Sequence, residues 1–336
     1  MTAQQAIEFG YLYALRNPPF AARPWPQFYA EMLDVAAETE RLGFTVACMS
    51  EHHLSDDGHL CSPLIVLTAI AMRTSRMRLT NGVMLGPLYD PLRLAEDSAT
   101  LAIISNGRLD LGMGLGYRRK EAAAMGVDFR TRAGRFTEML QIMPRLWAGE
   151  TVDWDGRHFH LEGARVTLTP PGGRVPMFIG GFADKAIMRA VTLGDGFVGP
   201  PEACERYVQL RAEAGCDPAT ARVRVYDPTF VVADDPAEAV EELAPYFLHV
   251  NNSYAGWAAE DGALGATGTT PMTLDAYKAS GELHVFTPDE AIAHIRGMAH
   301  LRPEQVILPM PTGLPPERLV HYAEIFARKV MPAFRP

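Results

Sequence analysis

Cysteine is scarce and unpatterned in this chain. Cys48, Cys61, Cys204 and Cys216 are spread over 336 residues without Cys-x-x-Cys spacing. That excludes a disulfide framework or a thiolate zinc site and leaves four ordinary thiols. Long hydrophobic runs are missing as well. Stretches such as Leu64 to Met72 fall far short of the roughly 20 residues that span a bilayer, so no membrane association is expected. Met1 to Glu8 lacks the basic and apolar regions of a signal peptide, which makes a cytoplasmic location the expectation. Basic charge is not in surplus. Lys and Arg number 31 against 40 Asp and Glu, a formal net charge of -9. No basic stripe is present, so nucleic acid is not an expected partner. The acidic balance favours solubility. The sequence has no internal repeat and no low-complexity tract.

What is present is a hydrophobic share of 48%, enough for a sizeable core. Short apolar runs alternate with longer helical patterns, the signature of βαβ units around a parallel sheet. Strands are predicted at Ile7 to Tyr13, Phe44 to Met49, Met77 to Leu85, Leu109 to Leu115, Met177 to Gly180, Gly196 to Val198, Val223 to Val232 and Gln305 to Pro309. Helices are predicted at Phe28 to Leu42, Ser62 to Met72, Pro91 to Ile104, Arg135 to Trp147, Lys185 to Thr192, Glu202 to Ala214, Pro236 to Leu248 and Pro316 to Val330. Gly43 stops the first helix and Pro91 opens the third. Eight such pairs predict an α/β fold, a (β/α)8 TIM barrel with insertions, spanning residues 1–336 as a single domain. Val152 to Thr169 reads as an extended hairpin turning at Asp155-Gly156. Asn251 to Glu282 is rich in Gly, Ala and Thr with weak periodicity. It is expected to be a lid over the face where barrel active sites are built.

Three features carry candidate chemistry. Ser50-Glu51-His52-His53 directly follows the second strand, where barrels place catalytic groups. A His there can move protons near neutral pH, although a polar loop would read the same way. Zinc is disfavoured because adjacent His side chains diverge and no third ligand has suitable spacing, so no metal is expected. Asn106 to Tyr117 carries glycines at 112, 114 and 116 without completing G-x-G-x-x-G, since position 119 is Arg. Alternate glycines let something flat approach the backbone, or only relieve crowding inside a barrel. Pro176 to Lys185 ends a strand in Gly180-Gly181 and opens a helix. That is either an anion site of bare backbone N–H groups or an ordinary glycine turn.

Taken in order along the chain, these features resemble the bacterial-luciferase-like flavin-dependent monooxygenases. The resemblance runs from about Ile7 to Phe334. It also covers Trp147-Ala148-Gly149, Gly194-Asp195-Gly196 and the helix start Thr287-Pro288-Asp289-Glu290. It implies catalytic roles for His52, the base or stabiliser, and for His53. It implies a cofactor site made of Glu51, the Gly82-Val83 bulge with a cis peptide, Leu115, Tyr117 and the phosphate turn Gly181, Phe182 and Ala183. Leu115 stands where luciferase has an Arg, and Ala183 and Ala186 stand where the turn has hydroxyl groups. Phosphate grip then falls to backbone N–H groups and to Arg118, Arg119 or Lys185.

The implied function is oxygenation of a small organic substrate by reduced FMN and O2 through a C4a-peroxyflavin. A separate flavin reductase supplies the reduced FMN, since no nicotinamide fingerprint is present. Phe20, Trp25 and the Gly/Ala-rich lid suggest an apolar substrate. The alternatives are an F420-dependent hydride-transfer oxidoreductase of the same superfamily and a non-catalytic flavin-binding relative. The resemblance also implies a homodimer through the helices after strands two and three. The apolar Ser62 to Met72 helix fits that, and burial within one chain fits it equally.

Overall fold

The computed structural model describes residues 6–262 and 269–335. Eight parallel strands close into a barrel. In chain order they are Glu8–Tyr13, Val46–Met49, Arg78–Asn81, Leu111–Gly114, Met177–Ile179, Gly196–Gly199, Val223–Tyr226 and Gln305–Pro309. The third continues as Met84–Leu85 after a cis Gly82–Val83 peptide, the bond the family resemblance implies. Closure uses both halves of this strand. Leu79 bridges to Leu109 below the bulge, and Met84 pairs with Met113 above it. The fold is therefore the (β/α)8 barrel that the alternating pattern predicts.

The predicted helix Pro91–Ile104 and strand Gln305–Pro309 are found with the same bounds. Asp90 caps that helix by accepting from the Leu92 and Arg93 N–H groups. Gly43 ends the Trp25–Leu42 helix in the left-handed region, φ 103°. Inside the barrel, inward residues form layers. The lower layer is polar. Arg224 bonds Asp110, Thr80 and Glu304, and its guanidinium lies 3.3 Å from the Phe178 ring centre. Above it packs a small apolar cluster of Leu12, Cys48 and Ile307. The large core lies between strands and helices and includes Phe28, Leu94, Met139 and fully buried Trp147. The Trp147 indole N–H donates to Ala95 O, which locks the Arg132–Trp147 helix to its neighbour.

Three expectations need correction. The hairpin Val152–Asp155 with His160–Ala164 exists, yet Gly156 N bonds Phe159 O, so Arg157 and His158 lie at its tip instead of Asp155-Gly156. The predicted seventh strand stops at Tyr226, and Phe230–Val232 pairs outside the barrel with His284–Phe286. The helix expected to end at Leu248 runs from Pro236 to Glu260, and a further helix spans Leu274–Ser280. The first part of the expected lid is thus a packed helix with Asn251, Ala255, Trp257 and Ala258 buried. Residues 263–268 of that lid lie outside the described residues. None of the helices among the described residues is long and apolar enough to cross a membrane.

Candidate active site

The loop after the second strand sits at the C-terminal mouth of the barrel, and its three polar residues do three different things. Glu51 is 1% exposed and fully engaged. It accepts from Leu85 N at 2.7 Å, from the Tyr89 hydroxyl at 2.7 Å and from His53 Nε2 at 2.9 Å. Its carboxylate therefore ties the loop to the strand just past the bulge. His53 is held by that bond. Burial pushes its pKa down, but Glu51 outweighs this and leaves it raised.

His52 is buried, and its Nδ1 donates to Glu121 Oε1 at 2.9 Å. The same oxygen accepts from His53 N at 2.8 Å and from Arg118 Nη1 at 3.0 Å. Burial alone would raise the Glu121 carboxyl. The bonds from His52 and His53 N–H and the Arg118 charge outweigh it and hold the group ionised below its ordinary value. An ionised acceptor at Nδ1 fixes the proton there and leaves the Nε2 lone pair for a reactant. Around the ring stand His59, Tyr117, Tyr254 and Trp257, with ring centres between 4.9 and 5.6 Å away. Arg118 lies 4.2 Å from the Trp257 ring centre, which clamps the Pro236–Glu260 helix onto this loop.

Across the mouth, Gly82 and Val83 are half-buried. A Cβ on Gly114 or on Gly180 would come within 2.7 Å of a Val83 methyl. Gly114 and Gly180 therefore make room for the bulge, and Gly112 makes room for Asn81 O, so relief of crowding inside the barrel, one of the two readings the sequence left, accounts for Gly112 and Gly114. Leu115 and Tyr117 are half-buried beside it, and the Tyr117 hydroxyl is buried without a partner. Gly181 is half-buried, and Phe182 and Ala183 are exposed at the start of the Asp184–Leu193 helix. The backbone N–H groups of residues 181–185 donate to no acceptor among the described residues. A run of free N–H groups at a helix start is an anion cradle.

The expected phosphate helper Arg118 is spent on Glu121 and His53 O, while Arg119 stacks on Phe129. A cavity of about 540 Å3 opens beside His59, and none of the ten predicted site residues lines it. Phe20 and Trp25 do not line it either. Trp25 packs on Gly58 and Phe28, and Phe20 packs on Tyr246.

The sequence pointed to none of Glu121, His59, Tyr254 and Trp257, and it assigned Arg118 to the phosphate instead of to Glu121. Tyr254 and Trp257 are three apart, the spacing of one helix face, which was the available signal. Glu121 lies 69 residues from His52 and carries no local signature.

The sequence matches the profile of the luciferase-like monooxygenases over residues 7–307. An F420-dependent glucose-6-phosphate dehydrogenase from Mycobacterium avium is 32% identical over 176 residues, which is 50% of this chain and 52% of that protein. The chain thus spans about half the length, or less, of the curated relatives it matches. Monooxygenase RslO1 from Streptomyces bottropensis superposes with a TM-score of 0.78 at 25% identity, covering 98% of this chain and 100% of that one. The oxygenating constituent of 3,6-diketocamphane monooxygenase from Pseudomonas putida, in complex with FMN, superposes at 0.75 with 19% identity and shares the fold, covering 97% and 98%. With a matched profile across nearly its whole length and a barrel to suit, this chain belongs to the luciferase-like monooxygenase family.

Proposed function

We propose that the chain is the oxygenating enzyme of a two-component flavin-dependent monooxygenase, taking reduced FMN from a separate reductase and using O2 on a small organic substrate. One observation carries the reading. His52, with its tautomer set by Glu121, shares the barrel mouth with the Gly82–Val83 bulge and the free N–H run of residues 181–185. These residues fit a phosphate-bearing flavin. The N–H run would hold the phosphate, and the Tyr117 hydroxyl is a buried donor still lacking an acceptor. When bound, the flavin supplies the activation of O2. His52 then holds or moves a proton at Nε2, Glu121 keeps the ring in register, and Trp257 excludes water from it.

A second reading is favoured by a separate observation. Arg132 has its pKa lowered by burial and then by Arg119 and Arg189, so three guanidiniums stand close together, and Arg132 Nε has no acceptor. A deazaflavin such as F420, with its long anionic tail, would use that basic group, and the Mycobacterium avium relative is named for F420. Anaerobic titration of the purified chain with reduced FMN and with reduced F420 separates the two. Micromolar binding of FMN alone supports the first reading, and preference for F420 overturns it. The homodimer belongs to the same proposal. Ile65 and Met72 on the Pro63–Arg73 helix are each 73% exposed, which leaves an apolar face for a second copy.

A further inference from the structure

The mouth holds a second space beside the His52 ring. The 540 Å3 cavity lies between the ends of the first, seventh and eighth strands and the Pro236–Glu260 helix. Its walls are mostly apolar or aromatic, with Leu12, Tyr226, Phe247, Tyr254 and Met310 among them. That size and lining suit a small organic molecule. Two residues of the wall carry buried polar atoms with no partner, Arg16 at Nη1 and His59 at Nδ1.

Arg16 is 1% exposed. Its Nε donates to Asp57 Oδ2 at 2.5 Å and its Nη2 to Ser253 Oγ at 2.6 Å. Asp57 is also bonded by His249 Nε2 at 2.7 Å. Two of the three guanidinium nitrogens are therefore committed, and the charge is balanced by an adjacent carboxylate. The cavity wall adds a second acidic residue, Glu282. A ligand carboxylate would find no unbalanced positive charge there. A pure hydrocarbon would leave the Arg16 N–H buried and unpaired, and sites with unpaired buried donors reject such ligands strongly. A neutral oxygen acceptor meets both conditions.

We infer that this cavity is the substrate pocket and that it selects an uncharged, largely apolar molecule whose carbonyl oxygen accepts a hydrogen bond from Arg16 Nη1. The word substrate rests on the function proposed above; the binding preference does not. His59 and Tyr254 both line the cavity and both stand ring-to-ring with His52, with centres 5.0 and 5.5 Å apart. A molecule seated on Arg16 is thus one ring away from the proton-handling histidine.

Calorimetric titration of the full, cofactor-free chain tests this with three probes of similar shape: 4-phenylcyclohexanone, phenylcyclohexane and 4-phenylcyclohexanecarboxylate. The ketone should bind about tenfold or more tighter than either of the others, the worth of one hydrogen bond from a charged donor. Arg16→Met should erase that preference. Because this variant strands Asp57, the pair Arg16→Met with Asp57→Asn is measured alongside it, with far-ultraviolet dichroism to confirm folding. Equal binding of ketone and hydrocarbon, tightest binding of the carboxylate, no ketone binding at millimolar concentration, or a preference that survives in the folded variants would each overturn the inference. If the chain binds neither FMN nor F420 yet keeps the ketone preference, the catalytic reading fails and the pocket stands. The reverse pattern removes the pocket alone.

Discussion

The two ends of this barrel treat buried charge in opposite ways. At the base, Asp110 accepts from Arg78 and Arg224, and Arg224 reaches on to Glu304 and Thr80. Asp110 and Arg224 are buried, and the charged atoms of both have partners. Inside the barrel at that end the groups left over among the described residues are neutral, Thr45 Oγ1 and Gln305 Oε1, while Arg211 Nε is left over on the surrounding helix. At the mouth, the leftovers among the described residues include a guanidinium N–H of Arg16, a ring nitrogen of His59, the Tyr117 hydroxyl and the amide of Asn81. An unpaired buried polar group costs about 1–3 kcal/mol. The base therefore spends its charges on holding strands in register, and the mouth keeps donors open at a standing cost that a ligand can relieve.

The largest expected effect falls at the base. Asp110→Ala would leave the buried guanidinium of Arg224 and the partly exposed one of Arg78 without their shared carboxylate. Breaking such a pair costs about 3–5 kcal/mol. Urea unfolding should show a loss of that order, with cofactor affinity of the folded fraction unchanged. A loss below about 1 kcal/mol would mean the network is dispensable, and the contrast between the ends would collapse. At the mouth, His52→Ala should cut turnover about 10²–10⁴-fold while cofactor affinity stays within about tenfold. Glu121 keeps its bonds from His53 N and Arg118 in that variant, so folding should survive. Near-normal turnover would reduce His52 to a packed ring.

A third substitution sharpens the contrast because it should move stability and binding in opposite directions. Ala183 occupies the N-cap of the Asp184–Leu193 helix with extended backbone angles, yet has no side-chain oxygen to cap it. Ala183→Asp should supply one and raise stability by about 0.5–1 kcal/mol. The same carboxylate would occupy the N–H groups proposed for the phosphate, so cofactor affinity should fall by about tenfold or more. Thermal unfolding and a flavin titration of one preparation read both quantities. Unchanged affinity would place the phosphate elsewhere.

Much of this architecture was legible in sequence because it rests on local periodicity. The closing strand at Gln305–Pro309 and the helix at Pro91–Ile104 have neighbours in the chain that mark their ends. The site was legible in part, where a short motif such as Glu51-His52-His53 sits on a loop between two clear elements. What makes His52 usable was not. Its partner Glu121 comes from another loop, and Arg16 meets Asp57 across 41 positions and Ser253 across 237. Only barrel closure brings such pairs together. The long helix to Glu260 was missed because alanines, glycines and asparagines blur its stripe. Asn251 and Asn252 then bind the backbone of Thr270 and Met272, a long-range clamp that no window of sequence reports.

The smallest effect tests the mouth by pH. Burial, then His52 and Arg16, push His59 well below its ordinary value, so the folded chain holds it neutral. Its folded pKa is depressed, so the stability it contributes is present above the unfolded value of about 6.5 and is lost as pH falls below that. His53 works the other way. Its folded pKa is raised, so its contribution is complete below about 6.5 and is lost as pH rises through the folded value. Glu121 and Asp57 are both held below their ordinary values and begin to lose stability only as pH drops toward the carboxylate range. Between about pH 6 and 5, His59 is therefore the member of this group that sets the slope, at most about 1.4 kcal/mol per pH unit. Wild-type stability should fall across that window, and His59→Gln should flatten the fall, because a neutral side chain of similar reach has no proton to take up. A bound ketone probe should leave the slope of the wild type unchanged, since His59 is already neutral in the folded chain throughout this window and only the unfolded chain takes up the proton. Parallel slopes for wild type and His59→Gln would show that this ring is already solvated, and the open donor next to it on Arg16 would then need another explanation.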